Sequence, residues 1–128
     1  LGLIHFRRGH YLYLGSAKGG LLGRVRRYFR RPRRLFWHID YLCARGSVRG
    51  VWVRPGLALS ECALRDRLAA LAGMQEGPAR FGSSDCRCRS HLLHSARSPG
   101  KRVDAAGLFA GECRRDSGMR LGGGLAKV

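Results

Sequence analysis

HYLYLGSAKGGLLGRVRRYFRR, His10–Arg31, is the stretch whose reading decides the fold. Tyr11 and Tyr13 alternate with Leu12 and Leu14, so a strand puts both phenols on one face and both leucines on the other. Gly15, Ser16, Gly19 and Gly20 supply a turn. From Leu21 the apolar period becomes helical: Leu21, Leu22, Val25, Tyr28 and Phe29 share a face. Arg24, Arg27 and Arg31 form a second line along that helix, and Arg26 and Arg30 a third. Pro32 ends it, because the residue before a proline is pushed away from helical angles. Phenols at a strand end beside several guanidinium groups make a phosphate-facing arrangement.

The charge agrees with that reading. The 128 residues carry a formal net charge of +17, and the first 39 hold 10 Lys/Arg and no acid. Such an excess calls for a polyanionic partner, either nucleic acid or an acidic membrane surface. Nucleic acid is preferred because the arginines sit on one structured helix and not in a tail. No apolar run approaches the ~18 residues that span a bilayer, and no signal-peptide pattern opens the chain. Five cysteines is an odd count, with Cys86 and Cys88 too close for an easy mutual disulfide. A reducing cytoplasm is the expected location.

Outward from the opening stretch, Leu1–Phe6 reads as a strand turned through Arg7–Gly9 into the tyrosine strand. Residues 35 to 46 fit a helical face of Leu35, Ile39, Leu42 and Cys43, with strand open for part of it. Val48 to Arg54 is a β-branched, alternating strand stopped by Pro55-Gly56. Ser60 is a good N-cap for a helix over Glu61 to Ala72, with Leu64, Leu68 and Leu71 as its buried stripe and Gly73 after its end. Residues 81 to 85 read as a loop. The domain is expected to cover 1–94, with 95–128 a largely disordered tail, because apolar residues there follow no sustained period.

Three groups of residues bear chemistry. Cys86, Cys88, His91 and His94 give C-x-C-x2-H-x2-H, a set of soft-metal ligands within nine residues. Zinc takes tetrahedral Cys/His sets, usually split between two distant pairs, so His38, Cys43 or Cys62 would have to contribute. The alternative is buried apolar thiols and two helix-facing histidines, with Asp85 as an N-cap. Glu61 lies at the N-terminal end of the inward leucine stripe, where it either satisfies the helix dipole or holds a Mg²⁺ ion. Tyr11 and Tyr13 serve as a hydrolytic base only if nearby cations lower a phenol pKa of ~10. Arg24 and Arg27 would do that and also grip a phosphate.

Tyr13-Leu14-Gly15-Ser16-Ala17 followed by Arg24 resembles the second half of the GIY-YIG nuclease motif. More narrowly, the chain is similar to a small uncharacterised subfamily of that superfamily, sometimes fused to endonuclease III-type glycosylases. The matching stretches are 9–31, 37–42, 61–64 and 81–92, in the right order. The resemblance implies a compact α/β (α+β) domain, with a small three-stranded antiparallel sheet flanked by helices and Mg²⁺-dependent cleavage of DNA phosphodiesters. It implies Tyr13 as a catalytic tyrosine, Arg24 as phosphate contact and Glu61 as Mg²⁺ ligand, while Tyr11 is a catalytic candidate from its place on the same strand face. Lys18, Arg26, Arg27, Arg30 and Arg31 would complete the DNA-contacting surface. His38, Asp40, Asp85, Cys86, Cys88 and His91 match positions characteristic of the subfamily alone. The motif's first Gly-x-Tyr strand is expected to be missing ahead of Leu1, and Tyr28 stands where many members carry histidine. The two activities in view are a DNA endonuclease and a catalytically silent nucleic-acid-binding module.

Overall fold

A computed structural model describes residues 6–15, 42, 48–54, 59–109, 111–114 and 126–127. The alternation in the opening stretch is realised as β1, His10–Tyr13. Tyr11 and Tyr13 pack on one face with Phe81, Leu92 and Val51, and Leu12 and Leu14 on the other with Trp52, Leu64, Leu68 and Leu93. The β-branched run after Val48 forms β2, Gly50–Val53. Four further strands follow: β3, Gln75–Glu76; β4, Leu92–Ser95; β5, Gly111–Arg114; and β6, Ala126–Lys127. They make one sheet in the order β3-β4-β1-β6-β2-β5, with every pairing antiparallel.

The helix expected after Ser60 is α1, Glu61–Ala69, and the Ser60 side chain accepts the Ala63 amide at 3.1 Å. That bond satisfies one of the four amides a helix start leaves unpaired. Leu64 and Leu68, one helical turn apart, bury themselves against the leucine face of β1. Arg65 shares the turn of Glu61 and is itself buried, donating to the Ser90 carbonyl at 2.8 Å and to Asp66 at 2.6 Å, and pairing with Glu76. Buried charge of this kind is tolerated only when fully partnered. The result is that the Ser90 backbone is held onto α1.

The α+β expectation, an antiparallel sheet flanked by helices, holds. Short additional strands make the sheet wider than the three strands expected. The boundary at residue 94 does not hold: it cuts through β4, and the segment after it contains α2, Gly100–Ala106. Val103 and Leu108 are buried beside Leu68 and Trp52, and Asp104 accepts the Trp52 indole N–H at 2.9 Å. A single well-placed valine on a short helix leaves no periodicity to read, yet it is enough to close the core. Leu42, within the stretch read as helical from 35 to 46, is helical and buried. The arginine helix and nearly all of the Leu1–Phe6 strand lie outside the described residues.

Candidate metal centre

The site grows from the residues between the loop at Phe81 and the start of β4. Arg80 N–H donates to the Arg89 carbonyl at 2.6 Å, and His91 N–H to the Phe81 carbonyl at 2.8 Å, so the segment closes on itself. Gly82 permits the closure: its φ of 68° is one that side chains resist, and a Cβ there would meet the Tyr13 ring at 2.8 Å. Within the loop the sequence Cys86-Arg87-Cys88-Arg89 alternates, the arginines exposed and the thiols half-buried. The Leu14 amide then donates to the His91 carbonyl at 3.0 Å, which fixes this end of the loop to the end of β1.

His91 is 2% exposed, and α1 brings it two partners. Its Nδ1–H donates to Glu61 Oε1 at 2.6 Å. Its Nε2 lies 3.3 Å from Cys86 Sγ and 3.9 Å from Cys62 Sγ. With Cys88, the donor atoms of Cys62, Cys86 and His91 all fall within 4.8 Å of one another. A tetrahedral ion with bonds of ~2.0–2.3 Å sets its donors ~3.3–3.8 Å apart, so the His91–Cys86 spacing matches one and the wider pairs would draw in around it. The cluster can hold a metal.

Electrostatics follow from that crowding. The hydrogen bond to Glu61 raises the His91 pKa to about 9, against the opposing effect of burial. A hydrogen bond with Cys88, then burial, pushes the Cys62 thiol up to about 12. Burial also pushes Cys86 upward, but hydrogen bonds from the Cys88 backbone and side chain outweigh it and leave that thiol below its ordinary value. Protons in such a cluster belong to the group and not to single residues.

The residues marked in the sequence divide accordingly. Cys86, Cys88 and His91 come together as the spacing suggested, and of the three extra ligands considered the fold supplies Cys62. His94 does not join them. Residues 92–95 form a strand and not a helix, so His94 stands ~10 Å along β4 from His91 and on the other face. There its ring meets Tyr11 at 5.0 Å, its Nε2–H donates to the Arg8 carbonyl at 3.0 Å, and its Nδ1 accepts from Arg7 at 3.1 Å. Glu61 is brought to the thiol cluster, a partnership that sequence spacing did not reveal. Tyr11 donates to the Arg7 carbonyl at 2.5 Å, and burial raises its pKa despite the nearby Arg7 charge, which is the reverse of what a base requires. Tyr13 ends β1 with its ring against Phe81 at 6.0 Å. Asp85 is exposed in the loop. Lys18, Arg24, Arg26, Arg27, Arg30, Arg31, His38, Asp40 and Cys43 lie outside the described residues.

Against known proteins, the model of a family described as Domain of unknown function DUF123 matches residues 1–109. This chain is a member of the DUF123 family. The match continues past residue 94 and through α2, in keeping with the burial of Val103 and Leu108. No curated protein and no solved structure matches the chain. Among the described residues, no helix is long and apolar enough to cross a membrane.

Proposed function

We propose that this DUF123 chain acts on DNA as a metal-dependent endonuclease of the GIY-YIG type, with Tyr13 and Arg24 at the site of cleavage and Glu61 at the same end of the sheet. The observation that carries the reading is a juxtaposition. Tyr13 closes β1 opposite Leu92, and Glu61 is bonded to His91, the residue just before Leu92. Two residues that the resemblance draws from separate segments therefore stand at the same end of one sheet. Charge supports the substrate. Against a net +17, Asp66 and Glu76 are engaged by Arg65, Glu61 by His91 and Asp104 by Trp52, which leaves the basic excess for an outside polyanion. Lys18, Arg24, Arg26, Arg27, Arg30 and Arg31 are the residues assigned to it.

Mg²⁺ does not fit the donor set around Glu61. A hard ion takes oxygen ligands, whereas among the described residues the donors grouped beside Glu61 are thiols and an imidazole, and Oε1 of Glu61 already accepts from His91. The thiol and imidazole donors suit zinc instead. No step of the cleavage is therefore routed through an ion at Glu61.

A second reading, DNA binding without cleavage, is favoured by the burial of both phenols, Tyr11 at 7% and Tyr13 at 6% exposed. A general base must reach the proton it removes. Plasmid nicking with added divalent metal separates the two. The endonuclease reading expects nicked product that Tyr13→Phe lowers at least ~100-fold. DNA retardation that weakens steeply with salt, with no product under any metal, would establish the binding module in its place.

A further inference from the structure

We propose that Cys62, Cys86, Cys88 and His91 form a closed, four-ligand zinc centre, and that Glu61 is its outer carboxylate, a positioning residue for His91. The proposal rests on the zinc reading of the cluster and not on the cleavage of DNA. Its first support is donor number. Three sulfurs and one imidazole nitrogen make a complete tetrahedral Cys3His set, with no position left for water or substrate, which is the pattern of a structural site.

The second support is the other ring nitrogen. A metal-bound histidine characteristically donates its remaining N–H to a carboxylate, which fixes the tautomer and the ring plane. Here Nε2 faces Cys86 and Cys62 while Nδ1 donates to Glu61 at 2.6 Å, the arrangement such a ligand requires. The capped first turn of α1 supplies both parts: Glu61 reaches Nδ1, and the next residue, Cys62, adds a thiolate. Arg65, one turn later, holds the Ser90 backbone and so sets the height of His91 against the helix.

The third support is charge. Loading the site releases the thiol protons and the Nε2 proton, leaving three thiolates and one carboxylate around a divalent ion, a net negative centre. Arg87 and Arg89 alternate with the ligating cysteines and point outward, and the chain as a whole is strongly basic. The centre thus ties two segments far apart in sequence, the start of α1 and the loop before β4. A bound ion would do the work of a disulfide among Cys62, Cys86 and Cys88, which are free thiols.

The test uses the full chain purified without a polyhistidine tag, with metal content measured and cobalt alone as the spectroscopic probe. One equivalent of zinc and the intense visible and charge-transfer bands of a tetrahedral thiolate cobalt site are expected. Cys62→His keeps a fourth donor, so it should still bind cobalt while losing one thiolate's share of the charge-transfer intensity. Glu61→Gln retains an acceptor for Nδ1–H and should keep zinc near wild-type affinity, whereas Glu61→Ala should weaken it ~10–100-fold. Zinc at trace levels, or an unaltered cobalt spectrum in Cys62→His, would overturn the four-ligand assignment. Unchanged zinc affinity in Glu61→Ala would overturn the outer-carboxylate role. Loss of DNA cleavage in a variant that keeps its zinc bears on the endonuclease reading and leaves the metal centre standing.

Discussion

Two buried histidines, one just before β4 and one within it, show how one strand serves two unlike environments. His91, at 2% exposed, faces thiols and a carboxylate; His94, at 5% exposed, faces a tyrosine ring, an arginine and a backbone carbonyl. The hydrogen bond to Glu61 favours the charged form of His91 strongly enough to overcome burial, which by itself would favour the neutral ring. Both ring nitrogens of His94 are instead engaged by the Arg7–Arg8 turn, Nδ1 with the Arg7 guanidinium and Nε2 with the Arg8 carbonyl. One histidine is poised to exchange a proton for a metal, and the other is a structural peg between β1 and the Arg7–Arg8 turn.

The comparison breaks if the two positions respond alike to truncation. His91→Ala removes the hydrogen-bonded partner of the Glu61 carboxylate beside half-buried thiols and is expected to cost ~3–5 kcal/mol, as when one partner of a buried pair is removed. His94→Ala loses hydrogen bonds near the surface turn and is expected to cost ~1–3 kcal/mol. Urea unfolding of both variants, with m-values checked against wild type, measures the gap.

pH sharpens it. In metal-free protein the His91 pKa is raised from 6.5 to about 9, so the folded state holds this proton more tightly than the unfolded chain. The associated stability is fully present below the unfolded pKa and is lost as pH rises through about 9. The denaturation midpoint should therefore fall between pH 6.5 and 9 without metal, and His91→Gln should flatten that fall. Loaded protein should show the opposite slope, because binding requires deprotonated ligands. A metal-free midpoint that rises over this range would remove the Glu61–His91 pair from the account.

The smallest expected effect lies one residue before the pair. Ser60→Ala removes the cap on the Ala63 amide and should cost ~1 kcal/mol, read as a modest drop in thermal midpoint. Because Glu61 and Cys62 occupy the turn that this cap orders, the drop should be accompanied by faster loss of cobalt to a chelator. The equivalent change at Ser84, exposed in the loop, should affect stability little.

Some of this architecture was legible from residue order. The Tyr11/Leu12/Tyr13/Leu14 alternation assigned both faces of β1, and Ser60 with the leucine stripe marked α1 and its start. β4 was not legible. Leu92 and Leu93 are both buried because both faces of the sheet are covered, so no alternation survives to distinguish a strand from a helix. That one ambiguity made His91 and His94 look like neighbours on a helix face.

The sequence by itself determined the local chemistry: which residues cap, alternate and ligate, and that a strongly basic chain carries soft donors in one short segment. Those properties depend on side-chain type and short spacing alone. Only the tertiary structure decided that Cys62 and not His94 completes the cluster, and that Glu61 meets His91. Both outcomes depend on how α1 packs across the leucine face of the sheet, a long-range arrangement that burial of Leu64 and Leu68 selects and that no local spacing encodes.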